Sequence, residues 1–457
     1  MKGLFQTIRN IFKIKELKSR IFVTLGFLLI YRLCAFVTLP MGSDNMIKLT
    51  TSDFAADSSA GLLGILNLFT GGALSQASIM ALGIMPYISA SIVIQLLGIG
   101  LPYIQKLQKE GQSGRNRITQ LTRYLTILIC AVQAPGYIYA ISAMTAGGQL
   151  GPVEIAGFSW WVCYGVLITG TLFAMWIGER ITDRGLGNGI SILIMIGIIA
   201  ALPGSFMQEF ITKSDTGGVL VMILIEILVL LMVILISILL VQGTRKIPVQ
   251  FAKRVVGNRQ FGGVRQFIPL KVNAAGVMPI IFAQALMFLP ATFVMGFTKD
   301  NYVPEGFLGW LYNSFAAPDA MFGFAYNFVF FWMIVAFTYF YTAVTVNSSQ
   351  MAEDMKRNGG FIPGVKPGRQ TGEYLDTIMS RIVFPGSLFL AFVAILPAFA
   401  VLFGVNAGFA QFYGGTSLLI MVGVVLDTLQ QIEGYLLNRH YDGLMKGGAR
   451  IKGKSSM

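Results

Sequence analysis

Groups that carry chemistry are nearly missing from this chain. Its 457 residues include one histidine, His440, and three cysteines, Cys34, Cys130 and Cys163, each cysteine within an apolar run. The cysteines have no paired spacing and no histidine near them, so neither a disulfide framework nor a zinc site is indicated. No glycine-rich phosphate loop and no nucleophile constellation occurs, so no catalytic centre, metal or cofactor is expected. Charge is scarce as well: 12% of residues are charged against 55% hydrophobic, about half the charged fraction of a soluble domain. The formal net charge of +13 does not indicate nucleic acid, because the basic residues fall in short segments between apolar runs and not on one solvated patch.

What the chain has is hydrophobic length. A helix rising about 1.5 Å per residue needs about 20 apolar residues to cross the bilayer core, and ten such stretches occur: 21–39, 75–101, 118–142, 158–178, 188–206, 218–241, 274–297, 324–346, 380–403 and 414–437. The first follows a basic tail, residues 1–20, but shows no small-residue cleavage pattern before Pro40, so it reads as a retained span. Charge tests the count. The N-tail, the loops near 104–117, 179–187, 243–273 and 348–379, and the C-tail 438–457 hold 28 of the 34 Lys and Arg. The opposite loops hold Lys48, Lys213 and Lys299 beside nine acids. Basic loops stay in the cytoplasm, so both termini are expected there.

Two segments stand apart. GLLGILNLF, Gly61 to Phe69, is apolar but too short to cross; a re-entrant half-helix is expected, covered by other protein. Gly243 to Lys271 carries seven basic residues and no acid. A solvated orientation signal is the plain reading; its length and the Ile247-Pro248-Val249 run suggest an exposed hairpin that docks something anionic.

The chain also repeats itself. ALGIMPYI, Ala81 to Ile88, returns as AAGVMPII, Ala274 to Ile281, and GISILI, Gly189 to Ile194, as GTSLLI, Gly415 to Ile420. Spans two and seven pair, as do five and ten. An offset of five spans inverts the second copy, giving two halves, 21–206 and 218–437, about an axis in the membrane plane. The repeated segments should meet at mid-depth, bringing Ile84, Ile88, Ile190, Ile194, Ile281 and Ile420 together. Any one of them alone reads as packing; recurrence at matched positions favours a pathway. Pro86 and Pro279 are expected to kink their helices.

Ionisable residues at membrane depth are few: Arg32, Arg123, Glu226, Arg381, Asp427 and Glu433. Glu226 reads as a lone carboxylate, the best candidate for ion coupling. A path lined by isoleucine dewets and blocks ions, so it stays shut or passes something that displaces the gasket. An inverted-repeat secondary transporter and a poreless insertase or scaffold both remain open on these observations.

Five blocks narrow this: GGALSQASIMALGIMPYISASIVIQLL (71–97), GERITDRGLGNGIS (178–191), RKIPVQFAKR (245–254), PLKVNAAGVMP (269–279) and YGGTSLLI (413–420). In that order they resemble the SecY family, channel subunits of protein-conducting translocons, over nearly the whole chain. The resemblance implies an all-α clamshell of ten transmembrane helices in two inverted five-helix halves, hinged between spans five and six. It further implies a pore ring of the six isoleucines and a plug near 61–72 that includes Gly61, Leu62, Leu63, Ile65, Leu66 and Phe69. A lateral gate would lie between spans two and three and spans seven and eight, through which signal sequences and apolar segments of nascent polypeptides reach membrane lipid. The loops would project as fingers that bind the ribosome, through RNA and protein, or the SecA motor. The residues expected to do so are Arg245, Lys246, Lys253, Arg254, Arg259 and Arg265 in the first loop and Lys356, Arg357, Lys366 and Arg369 in the second. SecE and SecG are the implied companion subunits, SecDF and YidC further partners, and the bacterial inner membrane the implied location. The chain departs from the family at GVKPG, where Lys366 replaces the usual arginine and loses its planar fork. It departs again at Asn347-Ser348, where span eight usually leaves through Asn-Pro.

Overall fold

The computed structural model describes residues 14–41, 67–145, 155, 157–214, 219–251, 254–256, 259–261, 265–284, 286–287 and 323–447. Apolar runs become helices α1 (Lys15–Ala35), α2 (Met85–Gly100), α3 (Pro102–Lys109), α4 (Gln112–Thr145), α5 (Phe158–Arg184), α6 (Gly189–Lys213) and α7 (Val219–Gln242). Strands β1 (Thr244–Phe251), β2 (Arg254–Val256), β3 (Arg259–Phe261) and β4 (Arg265–Lys271) follow. The chain continues through α8 (Phe324–Thr345), α9 (Ser348–Arg357), β5 (Gly360–Phe361), α10 (Arg369–Leu402), α11 (Ala407–Ala410) and α12 (Gly415–Gly447). With a further helical stretch at 278–284, helix occurs at all ten expected span positions. Six of the described helices are individually long and apolar enough to cross a bilayer. Val221, Leu224, Leu228, Leu235 and Leu239 stand exposed along α7. In water each would forgo roughly 1.5–3 kcal/mol of burial, whereas in lipid they are solvated. This is a multi-pass membrane protein.

The interior divides as an inverted repeat requires. One apolar cluster belongs to the first half, with Leu74, Ala81, Ile138 and Leu167, and another to the second, with Ile280, Phe330, Ile334 and Leu390. A third lies between them and draws on both, from Tyr31 and Ile84 to Phe409 and Ile420. Small residues let backbones close up. A Cβ on Gly170 of α5 would overlap the Ile79 carbonyl, and one on Gly189 would overlap the Gly178 carbonyl.

The turn from α5 into α6 shows how local chemistry sets an angle. Gly187 takes φ +68°, open to glycine at no steric cost. Asn188 then caps α6, its Oδ1 accepting from Ile190 N at 3.2 Å, while Thr182 Oγ1 accepts from Gly189 N at 2.9 Å. The block GERITDRGLGNGIS is thus a tight helix reversal that aims the isoleucines of α6.

Pro86 and Pro279 do not kink helices. Pro86 lies in the first turn of α2, behind Gly83 at φ +52°. Pro279 is the second residue of 278–284, behind Gly276 at φ +65°. A left-handed glycine ends any preceding helix, and a proline in a first turn has no intrahelical bond to lose. Both copies then make the same first bond, Ile88 N to Ile84 O at 3.0 Å and Ile281 N to Val277 O at 3.4 Å. The expected spans 75–101 and 274–297 therefore become helical only from Met85 and Met278. Residues 77–79 instead lie along 37–39, with Leu39 N donating to Ala77 O and Ile79 N to Val37 O.

Outside the membrane helices the mostly helical fold carries a small sheet. β1 pairs antiparallel with β4, from Thr244–Lys271 to Gln250–Arg265, which bears out the hairpin. β1 also pairs with β5 through Gln250–Phe361 and Phe251–Gly360, so the two loops share a base and are not separate fingers. Pro248 is tolerated because β5 does not reach it. Ile247 and Val249 are buried with Leu270, Ile362, Leu375 and Met379. The apolar run expected at an exposed docking face is thus the core of this platform. A Val249→Asp change leaves a carboxylate among aliphatics and is expected to cost at least about 3 kcal/mol locally, read as rapid protease nicking within 244–271 while the membrane helices stay intact.

Candidate functional site

The four repeated segments are all helix beginnings, and their first turns converge. Ile84, Ile194 and Ile420 are 5%, 6% and 3% exposed in the central cluster. Ile88, Ile190 and Ile281 pack against the same cluster from its edge. All six isoleucines predicted to meet are brought together, from both halves of the chain.

Of the short apolar segment, Gly61, Leu62, Leu63, Ile65 and Leu66 lie outside the described residues. Residues 67–70 are helical, and Leu68 and Phe69 are buried in the same cluster as the isoleucines. The exit from this helix is pinned by two residues that sequence reasoning did not assign. Arg32 of α1 donates from an η nitrogen to Gly71 O at 2.9 Å and lies 5.3 Å over the Phe36 ring. Gly197 of α6 leaves room for the backbone at 69–71: a Cβ there would sit 2.5 Å from Phe69 O and 3.2 Å from Gly71 N. Asn67 Oδ1 closes the turn by accepting from Ser75 N at 3.1 Å.

Glu226 is not a lone carboxylate. It pairs with Lys213, which also meets Glu209 at 2.7 Å. Arg123 forms a two-pronged bond to Glu179, at 2.9 and 2.7 Å. Arg381, Asp427 and Glu433 are exposed. The cysteines are free, and no cluster of His, Cys, Asp and Glu suited to a metal occurs among the described residues.

On the extramembrane platform Arg245 and Lys246 of β1 are exposed, as are Lys356, Arg357, Lys366 and Arg369. Arg369 is bonded to Glu373 at 3.0 Å, both side chains being exposed. Arg254 and Arg259 lie on the β2–β3 ribbon, with Val256 opposite Arg259, and Arg265 opens β4. Lys253 lies outside the described residues. Asn347 caps α9, accepting from Gln350 N at 3.1 Å. Ser348 thereby occupies the first helical position, the one that also suits proline, and the exit from α8 is fixed by the cap.

The SecY family model matches residues 78–429. The protein translocase subunit SecY of Streptomyces coelicolor is 40% identical over 454 residues, covering 95% of this chain and 98% of that protein. A solved chain described as "The structure of a protein conducting channel" aligns with TM-score 0.62 at 17% identity, over 95% of each chain. The chain of "Sec61 in the Canine ribosome-channel complex from the endoplasmic reticulum" aligns with TM-score 0.59 at 16% identity, again over 95% of each.

Proposed function

This chain belongs to the SecY family and is the protein-conducting channel subunit of a protein translocase, and from that premise we propose that its six clustered isoleucines are the seal that a translocating polypeptide displaces. The carrying observation is that Ile84, Ile88, Ile190, Ile194, Ile281 and Ile420, drawn from four helices and both halves, share one apolar cluster with Phe69. Branched aliphatics exclude water without a fixed shape and deform around any extended chain. A dewetted constriction blocks ions, which suits a substrate defined by being unfolded. The segment 61–72 acts as the plug, and spans two and three part from spans seven (274–297) and eight to release apolar segments sideways. An apolar signal helix gains about 0.3–0.6 kcal/mol per Leu or Ile on entering lipid at mid-depth. The chain supplies no catalysis of its own; energy comes from a bound motor or the ribosome. A secondary transporter is disfavoured, because Glu226 is held in an ion cluster.

The platform docks the partners. Arg245, Lys246, Lys356, Arg357, Lys366 and Arg369 are exposed, and they suit ribosomal RNA phosphate or an acidic SecA surface. SecE and SecG complete the complex, SecDF and YidC attach to it, and it resides in a bacterial inner membrane with both termini cytoplasmic. Reversing two charges, Arg245→Glu with Lys246→Glu, is expected to weaken ribosome binding at least about tenfold. It should also reduce the dependence of log K on log salt by about two, measured by cosedimentation across a salt series. The seal is tested by stalling a secretory chain in the assembled complex and crosslinking it to cysteines placed at Ile84, Ile194 and Ile281. Adducts at all three support the proposal; adducts only at lipid-facing controls overturn it.

A further inference from the structure

Where the two halves join, a buried ion cluster crosses the boundary. Lys213 ends α6, the last helix of the first half, and stands between Glu209 on its own helix, at 2.7 Å, and Glu226 on α7, the first helix of the second half. Glu209 also accepts from Asn406 N at 2.9 Å through its other oxygen, and Asn406 caps α11 just ahead of α12. Three segments are thereby tied at one point: the end of α6, the start of α7 and the entry to α12. The side chains of Glu209, Lys213 and Glu226 are 1%, 15% and 12% exposed.

The cluster is strong in one sense and incomplete in another. Two carboxylates share one ammonium, leaving one negative charge in excess. Among the described residues, the second oxygen of Glu226 and the Tyr413 hydroxyl are both buried with no hydrogen-bond partner. A pair that loses one member leaves an uncompensated buried charge, which strongly destabilises the closed arrangement. A half-satisfied network gains by meeting water. Turning one half against the other about this joint would hydrate Glu226 and Tyr413, so the same groups that hold the joint also lower the cost of opening the channel. An apolar joint of similar volume would lack this second property.

We propose that Glu209, Lys213 and Glu226 form an electrostatic fastener that sets how readily the two halves part. The inference rests on the reading of the isoleucine cluster as a seal between halves that separate. Lys213 is the member on which the closed state depends, because without it two carboxylates face each other across α6 and α7. Removing all three charges abolishes the repulsion and restores closure.

The test compares assembled complexes in phospholipid vesicles, with ion flux and export of a reporter bearing a defective signal both normalised to assembled channel. Lys213→Met is expected to raise both on the order of tenfold, within the range of ordinary coupling between sites. The triple variant Glu209→Gln, Lys213→Met, Glu226→Gln is expected to return close to the starting level. The proposal is overturned if Lys213→Met conducts and discriminates like the unaltered channel, if the triple variant leaks as much as the single one, or if the single variant only lowers the amount of assembled complex. Ile420→Asn is measured alongside. If it too fails to leak, the seal itself is misassigned; if it leaks while Lys213→Met does not, the fastener alone fails.

Discussion

Changing Ile420 to Asn will make the resting channel leak ions. Ile420 is 3% exposed and shares its cluster with Ile84, Ile194 and Phe69, so its side chain has apolar neighbours from both halves. An amide there has two donors and an acceptor with nothing to bond. Leaving such a group dry costs about 1–3 kcal/mol by protein mutational measures. The cheapest remedy is water, and a hydrated constriction conducts. If only about 1.4 kcal/mol of that cost falls on the closed state, the open fraction rises about tenfold. Conductance of the reconstituted complex in planar bilayers reads this directly. Export of proteins with weak signals should rise in step, since a chain then displaces a seal already partly undone. Ile420→Leu keeps the apolar volume and should leave both near the starting level, because volume-conserving swaps cost less than about 1.5 kcal/mol. A leak from Ile420→Leu equal to that from Ile420→Asn would show that shape, and not dryness, makes the seal.

Why that cluster was legible in the sequence, while its supports were not, has a physical reason. The isoleucines are carried by a repeat, and a repeat inverted across the membrane has one axis on which its copies can meet. Ile84 and Ile281 could therefore be placed together with no knowledge of packing. Pro86 and Pro279 were visible for the same reason but misread. Whether a proline kinks a helix or begins one depends on the φ of the residue three positions earlier, and Gly83 and Gly276 permit either sign. Glu226 was visible as an intramembrane carboxylate, but its partner lies on the preceding helix. Lys213 was assigned to an external loop because apolar residues run out before it, whereas α6 continues to that lysine. The hairpin was legible from length and charge. The alternation that buries Ile247 and Val249 needed the platform beneath them, which residues 355–383 supply.

Gly197 was the least legible of all, and the second large effect is expected there. A glycine within an apolar helix carries no pattern; its role is set by a backbone about 126 residues earlier in the chain, visible only once α6 and the turn at 69–71 are side by side. A Cβ at 197 would lie 2.5 Å from Phe69 O and 3.2 Å from Gly71 N, a clash with backbone and not with the end of a flexible side chain. Gly71 cannot retreat on its own terms: it holds φ +66°, its carbonyl is bonded to Arg32, and a Cβ on it would in turn meet Gly197 Cα at 2.8 Å. The segment carrying Phe69 must therefore move away from the isoleucine cluster as a unit. Gly197→Val is expected to open a leak as large as that of Ile420→Asn, and Gly197→Ala a smaller one. Gly136→Ala, with open space at its Cβ, should leave conductance unchanged and, by helix propensity, stabilise α4 by up to about 1 kcal/mol. A cysteine placed at Phe69 gives the deciding readout. In the unaltered protein it should be shielded from a soluble maleimide, and in Gly197→Val it should be labelled at a rate near that of an exposed control. Shielding that persists beside a new leak would mean that α6 itself had shifted and that the segment at 67–70 had stayed in place.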